Sequence, residues 1–192
     1  MDHYLIDHCA PTLASLKTAN MFRVSFNTRK ELSLTVRRWN KLLYDKGIVC
    51  FCLNCRDQHS CESAVCRQTA LIYVVRLNKL KQDLSDPAVC DFLSSYGYSG
   101  KDAVHSLLTL REHIMQSDSF PHEIGIFLGY PLADVKGFIS NHGQNCICCG
   151  DWKVYENPEY ALRTFERYRK CKRIYRQLWE QGRDIRQLTV GA

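Results

Sequence analysis

Leu32, Val36, Trp39 and Leu43 recur at intervals of three and four, the period that places apolar side chains on one face of a helix. Thr28 and Glu31 precede them with capping-box spacing, and Lys46 and Gly47 follow as stop signals, so a helix is predicted between. Apolar runs at Met21–Phe26, Ile48–Leu53 and Thr69–Arg76 are too short for helices and predict strands. The third is apolar nearly throughout, as expected of a central strand covered on both faces. Ahead of them, His8-Cys9-Ala10-Pro11-Thr12-Leu13 predicts a turn into a short helix reaching about Thr18, with Pro11 in its first turn.

The second half is patterned for helices. Pro87 opens one that buries Val89, Phe92 and Leu93 and stops at Gly97. Val104, Leu107, Leu108, Ile114 and Met115 mark another, and Pro121–Leu128 and Leu132–Ile139 two short ones joined through Gly129-Tyr130-Pro131. After a strand at Trp152–Tyr155, Asn157 and Pro158 cap and open a long helix with the stripe Ala161, Phe165, Tyr168, Cys171, Tyr175 and Leu178, closed by Gly182. The expected fold is α+β: a small sheet of three to four strands covered by several helices, with a long C-terminal helix. A chain of 192 residues with no linker or repeat suits a single domain over 1–192.

Composition adds two things. The net charge is +6, and the segment Arg163–Arg176 holds seven cations against the single anion Glu166, so it alone accounts for the imbalance. Such a patch suits an acidic partner, nucleic acid or a lipid headgroup surface, or is a solvated helix face. Arg169 and Arg173 are the residues expected to meet nucleic acid phosphates. The short helices at 121–139 have a helix-turn-helix outline, but the second offers only Lys136 to a phosphate, which argues against DNA reading. The acidic opening Met1-Asp2-His3-Tyr4 does not read as a secretion signal, and the longest apolar run, Ala70–Val75, cannot span a bilayer. A cytoplasmic location is expected.

The other feature is eleven cysteines, expected to be reduced thiols or metal ligands in such a compartment. Cys90 and Cys171 fall at apolar helical positions and are expected in the core. Cys50 and Cys52 lie two apart on a strand, on one face. Cys52 and Cys55 have the knuckle spacing of zinc sites, and Cys61 and Cys66 are placed to complete a tetrahedral set; an iron–sulfur cluster needs the same thiolates. Cys146, Cys148 and Cys149 form a second group after Asn141-His142-Gly143. The alternative in both places is loop and strand thiols with no ligand.

The opening His8–Ala14 with Lys17-Thr18-Ala19-Asn20, the block Phe120–Pro131 with Asp134–Ile139, Trp152–Tyr155, and the ending Leu188-Thr189-Val190 resemble a bacterial family known as domain of unknown function 3793. The resemblance spans essentially the whole chain. It implies an anaerobic host and a cytoplasmic protein with flavodoxin and iron-handling genes as neighbours, and no established activity, fold or ligand. The cysteine-rich stretch between the second and third strands departs from the family's plain connection there.

One pocket is expected from these segments. His8, Cys9, Thr12 and Lys17 stand at one proline-marked helix start, and His122 and Glu123 at another. If the two meet, their free N–H groups and polar side chains form a site for an anionic or polar ligand, with Lys153 and Tyr155 contributing. Three functions follow: a binding or accessory protein in anaerobic redox or metal metabolism, an enzyme using Cys9 as nucleophile with His122, or a nucleic-acid binder through the basic helix. No phosphate-binding glycine loop, hydrolase elbow or metalloprotease motif is present.

Overall fold

The structure, a computed structural model, describes residues 1–56, 68–99, 102–116 and 120–191. Its order is α1 (His3–Leu13), β1 (Ala19–Phe26), α2 (Arg29–Leu43), β2 (Ile48–Arg56), β3 (Gln68–Arg76), α3 (Leu77–Leu84), α4 (Pro87–Ser94), α5 (Ala103–Gln116), α6 (Ile124–Phe127), α7 (Leu132–Ser140), β4 (Cys148–Cys149), β5 (Lys153–Val154) and α8 (Pro158–Glu180). This is the expected α+β class. β1, β3 and β2 form an antiparallel sheet with β3 in the centre, and β4 and β5 form a separate two-stranded hairpin.

The central strand divides the core. Ala70, Ile72 and Val74 face one apolar cluster, built with Leu5, Cys9, Leu13, Trp39 and Leu43 from α1 and α2. Leu71, Tyr73 and Val75 face another, built with Leu80, Leu107, Leu110 and Phe127 from α3, α5 and α6. Alternate side chains of a strand point to opposite faces, so a strand covered on both sides is apolar without interruption. A third cluster, Trp152, Val154, Ala161, Phe165 and Tyr168, seats the hairpin on α8.

Local signals account for the elements that the pattern predicts well. Thr28 accepts the Glu31 N–H, Glu31 accepts the Asn27 N–H, and Gly47 ends the following turn at φ 73°. Asn157 accepts the Tyr160 N–H at the start of α8. The structure departs from expectation in several places. The first helix begins at His3, five residues before the predicted turn, and carries Pro11 in its interior; it ends at Leu13, leaving Lys17 and Thr18 outside. α3 was not anticipated. In α5 the buried residues are Ala103, Ser106, Leu107, Leu110 and Ile114, while Val104, Leu108 and Met115 are exposed. Cys171 is buried as expected, and Cys90 is half-buried, its thiol against the Leu84 carbonyl. Among the described residues, no helix is long and apolar enough to cross a membrane.

Arg76 ties these layers together. It is 3% exposed, and it donates to the carbonyls of Thr12 (2.6 Å), Leu13 (2.7 Å), Val190 (2.8 Å) and Lys46 (3.3 Å). The last carbonyls of a helix have no partner within it, and here a guanidinium supplies one. Burial lowers the Arg76 pKa, so the charge is held at a cost that its carbonyl partners offset.

Candidate functional site

Helices α6 and α7 meet closely because Gly125 has no side chain: a Cβ there would lie 2.7 Å from Val135 Cγ2. Gly129 turns the chain between them at φ 73°, packed on Thr18 where no side chain fits. From α7, Asp134 anchors the segment after β5. Its buried carboxylate accepts the Trp152 indole N–H (2.6 Å) and the backbone N–H groups of Tyr155 (2.7 Å) and Glu156 (3.0 Å). These are charge-assisted bonds, the stronger kind. Asp134→Asn keeps one acceptor and loses the charge. It is expected to lower stability by about 2 kcal/mol, read as an earlier urea midpoint; an unchanged midpoint would show that the segment is held otherwise.

That anchoring creates a cavity of about 400 Å³ between α6, α7 and the hairpin. Phe120, Tyr130, Phe138 and Trp152 give it aromatic walls, and Ile124 and Val135 an apolar floor. His122, Cys149 and Lys153 bring polar atoms to it. Tyr130 stacks on Trp152 with ring centroids 5.2 Å apart, and Trp152 meets Phe165 of α8 edge-on at 4.5 Å. His122 is edge-on to Phe138 at 5.0 Å, and Lys153 Nζ donates to the Gly143 carbonyl at 2.6 Å.

Only part of the expected pocket converges here. His122 and Lys153 line the cavity. Lys17 reaches its wall from behind, with Nζ 4.8 Å from the Tyr130 ring centroid and 5.9 Å from that of Tyr168. It is 5% exposed, and burial lowers its pKa to about 8, against the raising influence of Asp151. Tyr155 packs on Gly137 of α7, and its buried hydroxyl has no hydrogen-bond partner among the described residues. Glu123 does not line this cavity. It is buried, accepts the Tyr98 hydroxyl at 3.1 Å, and lies 3.0 Å from His113 Nδ1 of α5. A hollow of about 460 Å³ lined by His113, His122, Glu123 and Phe120 adjoins the first.

The remaining three residues lie elsewhere. Thr12 donates to Asn20 Oδ1 at 2.7 Å, and His8 is exposed and stacked on Phe22. Cys9 is fully buried in the cluster under α1, on the Ile72–Val74 face of the sheet. The segment carrying His122 packs through Ile124 and Phe127 on the Tyr73–Val75 face. The two helix starts therefore do not meet. Burial, with Cys50 nearby, also raises the Cys9 pKa well above the ordinary thiol value, the opposite of what activates a nucleophile.

Of the metal expectation, Cys61 and Cys66 lie outside the described residues. Cys52 and Cys55 are together, their sulfurs 3.3 Å apart. Among the described residues, no group of three or more His, Cys, Asp or Glu side chains is arranged to hold a metal ion. On α8, Arg163 pairs with Glu159, Lys172 with Asp151 and Arg176 with Asp7, while Arg169 and Arg173 are exposed one turn apart. A wider groove of about 770 Å³ on the other side of Tyr130 is lined by Asp83, Asp86, Asp134 and Glu156. Three of those carboxylates serve the fold: Asp83 accepts the Thr18 hydroxyl, Asp86 caps α4, and Asp134 holds the hairpin segment.

Sequence reasoning missed the aromatic walls and Asp134. The aromatic residues were visible, but each reads as core until the hairpin folds back over α7. The sequence model of the family described as Protein of unknown function (DUF3793) matches residues 5–189 of the 192-residue chain. No curated protein matches, and no solved structure matches.

Proposed function

The chain belongs to this DUF3793 family, and we propose that it is a small-molecule binding protein for a planar, largely apolar ligand bearing an acidic group. The observation that carries this reading is the aromatic-walled cavity of about 400 Å³ with Lys153 at its edge. Binding sites for small molecules are concave and mostly apolar, with a few placed polar groups that fix orientation. The rings of Tyr130, Phe138 and Trp152 offer stacking surfaces, and the Lys153 ammonium draws the acidic group. His122 provides a second donor. The burial of Cys9 away from His122 weighs against the nucleophile reading and in favour of binding.

A fluorescent aromatic acid, anilinonaphthalene sulfonate, tests this. It is expected to bind at one saturable site. Lys153→Gln keeps a donor for the Gly143 carbonyl and removes the charge, so affinity should fall about tenfold. Cys149→Phe, a change at an exposed residue on the rim, should fill the cavity and abolish binding. Equal binding by wild type and both variants would refute the assignment.

A further inference from the structure

We propose that Cys52 and Cys55 form a dithiol site for a divalent thiophilic metal ion of the zinc and cadmium class, built by a bulge in the edge strand β2. Residues three apart on a regular strand point to opposite faces, so a C-x2-C pair on an uninterrupted strand would be split by the sheet. The pairing of β2 with β3 is not regular. Cys50 is opposite Val74 and Cys52 opposite Ile72, but Asn54 is then opposite Leu71 and Cys55 opposite Ala70. Leu53 is the extra residue, and it turns into the cluster on the other face. One added residue restores the phase, so Cys55 returns to the face of Cys50 and Cys52.

The outcome is a row of thiols opposite Val74, Ile72 and Ala70. Cys50 is buried, whereas Cys52 and Cys55 are half-buried, with Sγ atoms 3.3 Å apart. Metal–sulfur bonds of about 2.3 Å at the tetrahedral angle need sulfurs about 3.8 Å apart. Small side-chain rotations supply that difference. Among the described residues β2 is an edge strand, with no further strand paired beyond it.

The chemistry balances without a redox partner. Two S–H bonds break, two metal–sulfur bonds form, and two protons pass to solvent. Soft thiolates select ions of this class over magnesium or calcium. Water completes the coordination shell.

Cadmium alone is the probe, added to reduced protein under anaerobic conditions and followed by the ultraviolet thiolate-to-cadmium absorption. Wild type is expected to take up a tightest equivalent. Cys52→Ser and Cys55→Ser should each weaken that equivalent at least about tenfold, the scale of lost metal-site contacts. The triple variant Cys146→Ser, Cys148→Ser, Cys149→Ser should keep it. Blocking free thiols in the cadmium-loaded wild-type protein, then mapping peptides, should show Cys52 and Cys55 protected together, a readout that needs no variant to fold. Retention by both single variants, loss in the triple variant, or unprotected Cys52 and Cys55 would overturn the proposal.

Discussion

Arg76→Met is expected to destabilise the protein by about 4 kcal/mol, within the range for disrupting a buried charge and its partners. The methionine fills similar space but donates nothing. The carbonyls of Thr12, Leu13, Val190 and Lys46 would lose their guanidinium partner together. Those four carbonyls come from α1, the turn after α2 and the C-terminal segment, so the loss is felt in three places. Urea unfolding of the variant should show a lower midpoint. Hydrogen exchange should show early opening of α1 and the 185–190 segment. A shift under about 1 kcal/mol would mean that water replaces the guanidinium readily.

Lys17→Met is expected to stabilise the protein at neutral pH, with an advantage that disappears as the solution is made alkaline. Burial lowers the folded-state pKa of Lys17 from 10.5 to about 8. Between those values the unfolded chain binds more protons, so stability contributed by this residue rises with pH. Below pH 8 the folded state carries a desolvated ammonium; above 10.5 the lysine is neutral in both states. The full difference is about 3 kcal/mol. Buried tyrosines and cysteines titrate in the same range with the opposite sign, since Cys50 and Tyr130 are both raised to about 12. The wild-type curve alone therefore mixes the two, whereas the difference between wild type and Lys17→Met isolates the lysine. A difference constant from pH 7 to 11 would mean that Lys17 is solvated.

Much of the architecture was legible because its signals are local. Thr28 with Glu31 and Asn157 with Pro158 state where α2 and α8 begin through side chains that bond their own first turns. The unbroken apolar run of β3 states that both faces are covered. α3 was missed because it starts straight from the strand, with Arg76 at its N-cap making no side-chain capping bond. α5 misled because it carries two apolar stripes, Leu107, Leu110 and Ile114 on one side and Val104, Leu108 and Met115 on another; only packing decides between them.

The site was less legible than the fold. His122 and Lys153, both assigned to one expected pocket, line the same cavity. The expectation that α1 would join them rested on helix starts, and helix starts carry no information on which face of a sheet a helix covers. Asp134 joins residues 18 and more positions away in sequence, and no local pattern announces that. Likewise the C-x2-C spacing of Cys52 and Cys55 was visible, but the bulge at Leu53 that brings both thiols to one face was not.

If the aromatic cavity beside Trp152 binds a ligand, one indole signal reports it directly. The chain has three tryptophans, Trp39, Trp152 and Trp179, so its indole N–H signals in a nitrogen–proton correlation spectrum are few enough to assign. Only Trp152 lines the cavity, and Asp134 fixes its N–H. Titration with anilinonaphthalene sulfonate is predicted to shift the Trp152 indole signal saturably while those of Trp39 and Trp179 stay in place. A Trp152 signal that does not move, or three that drift together without saturation, would show that the cavity is not a binding site.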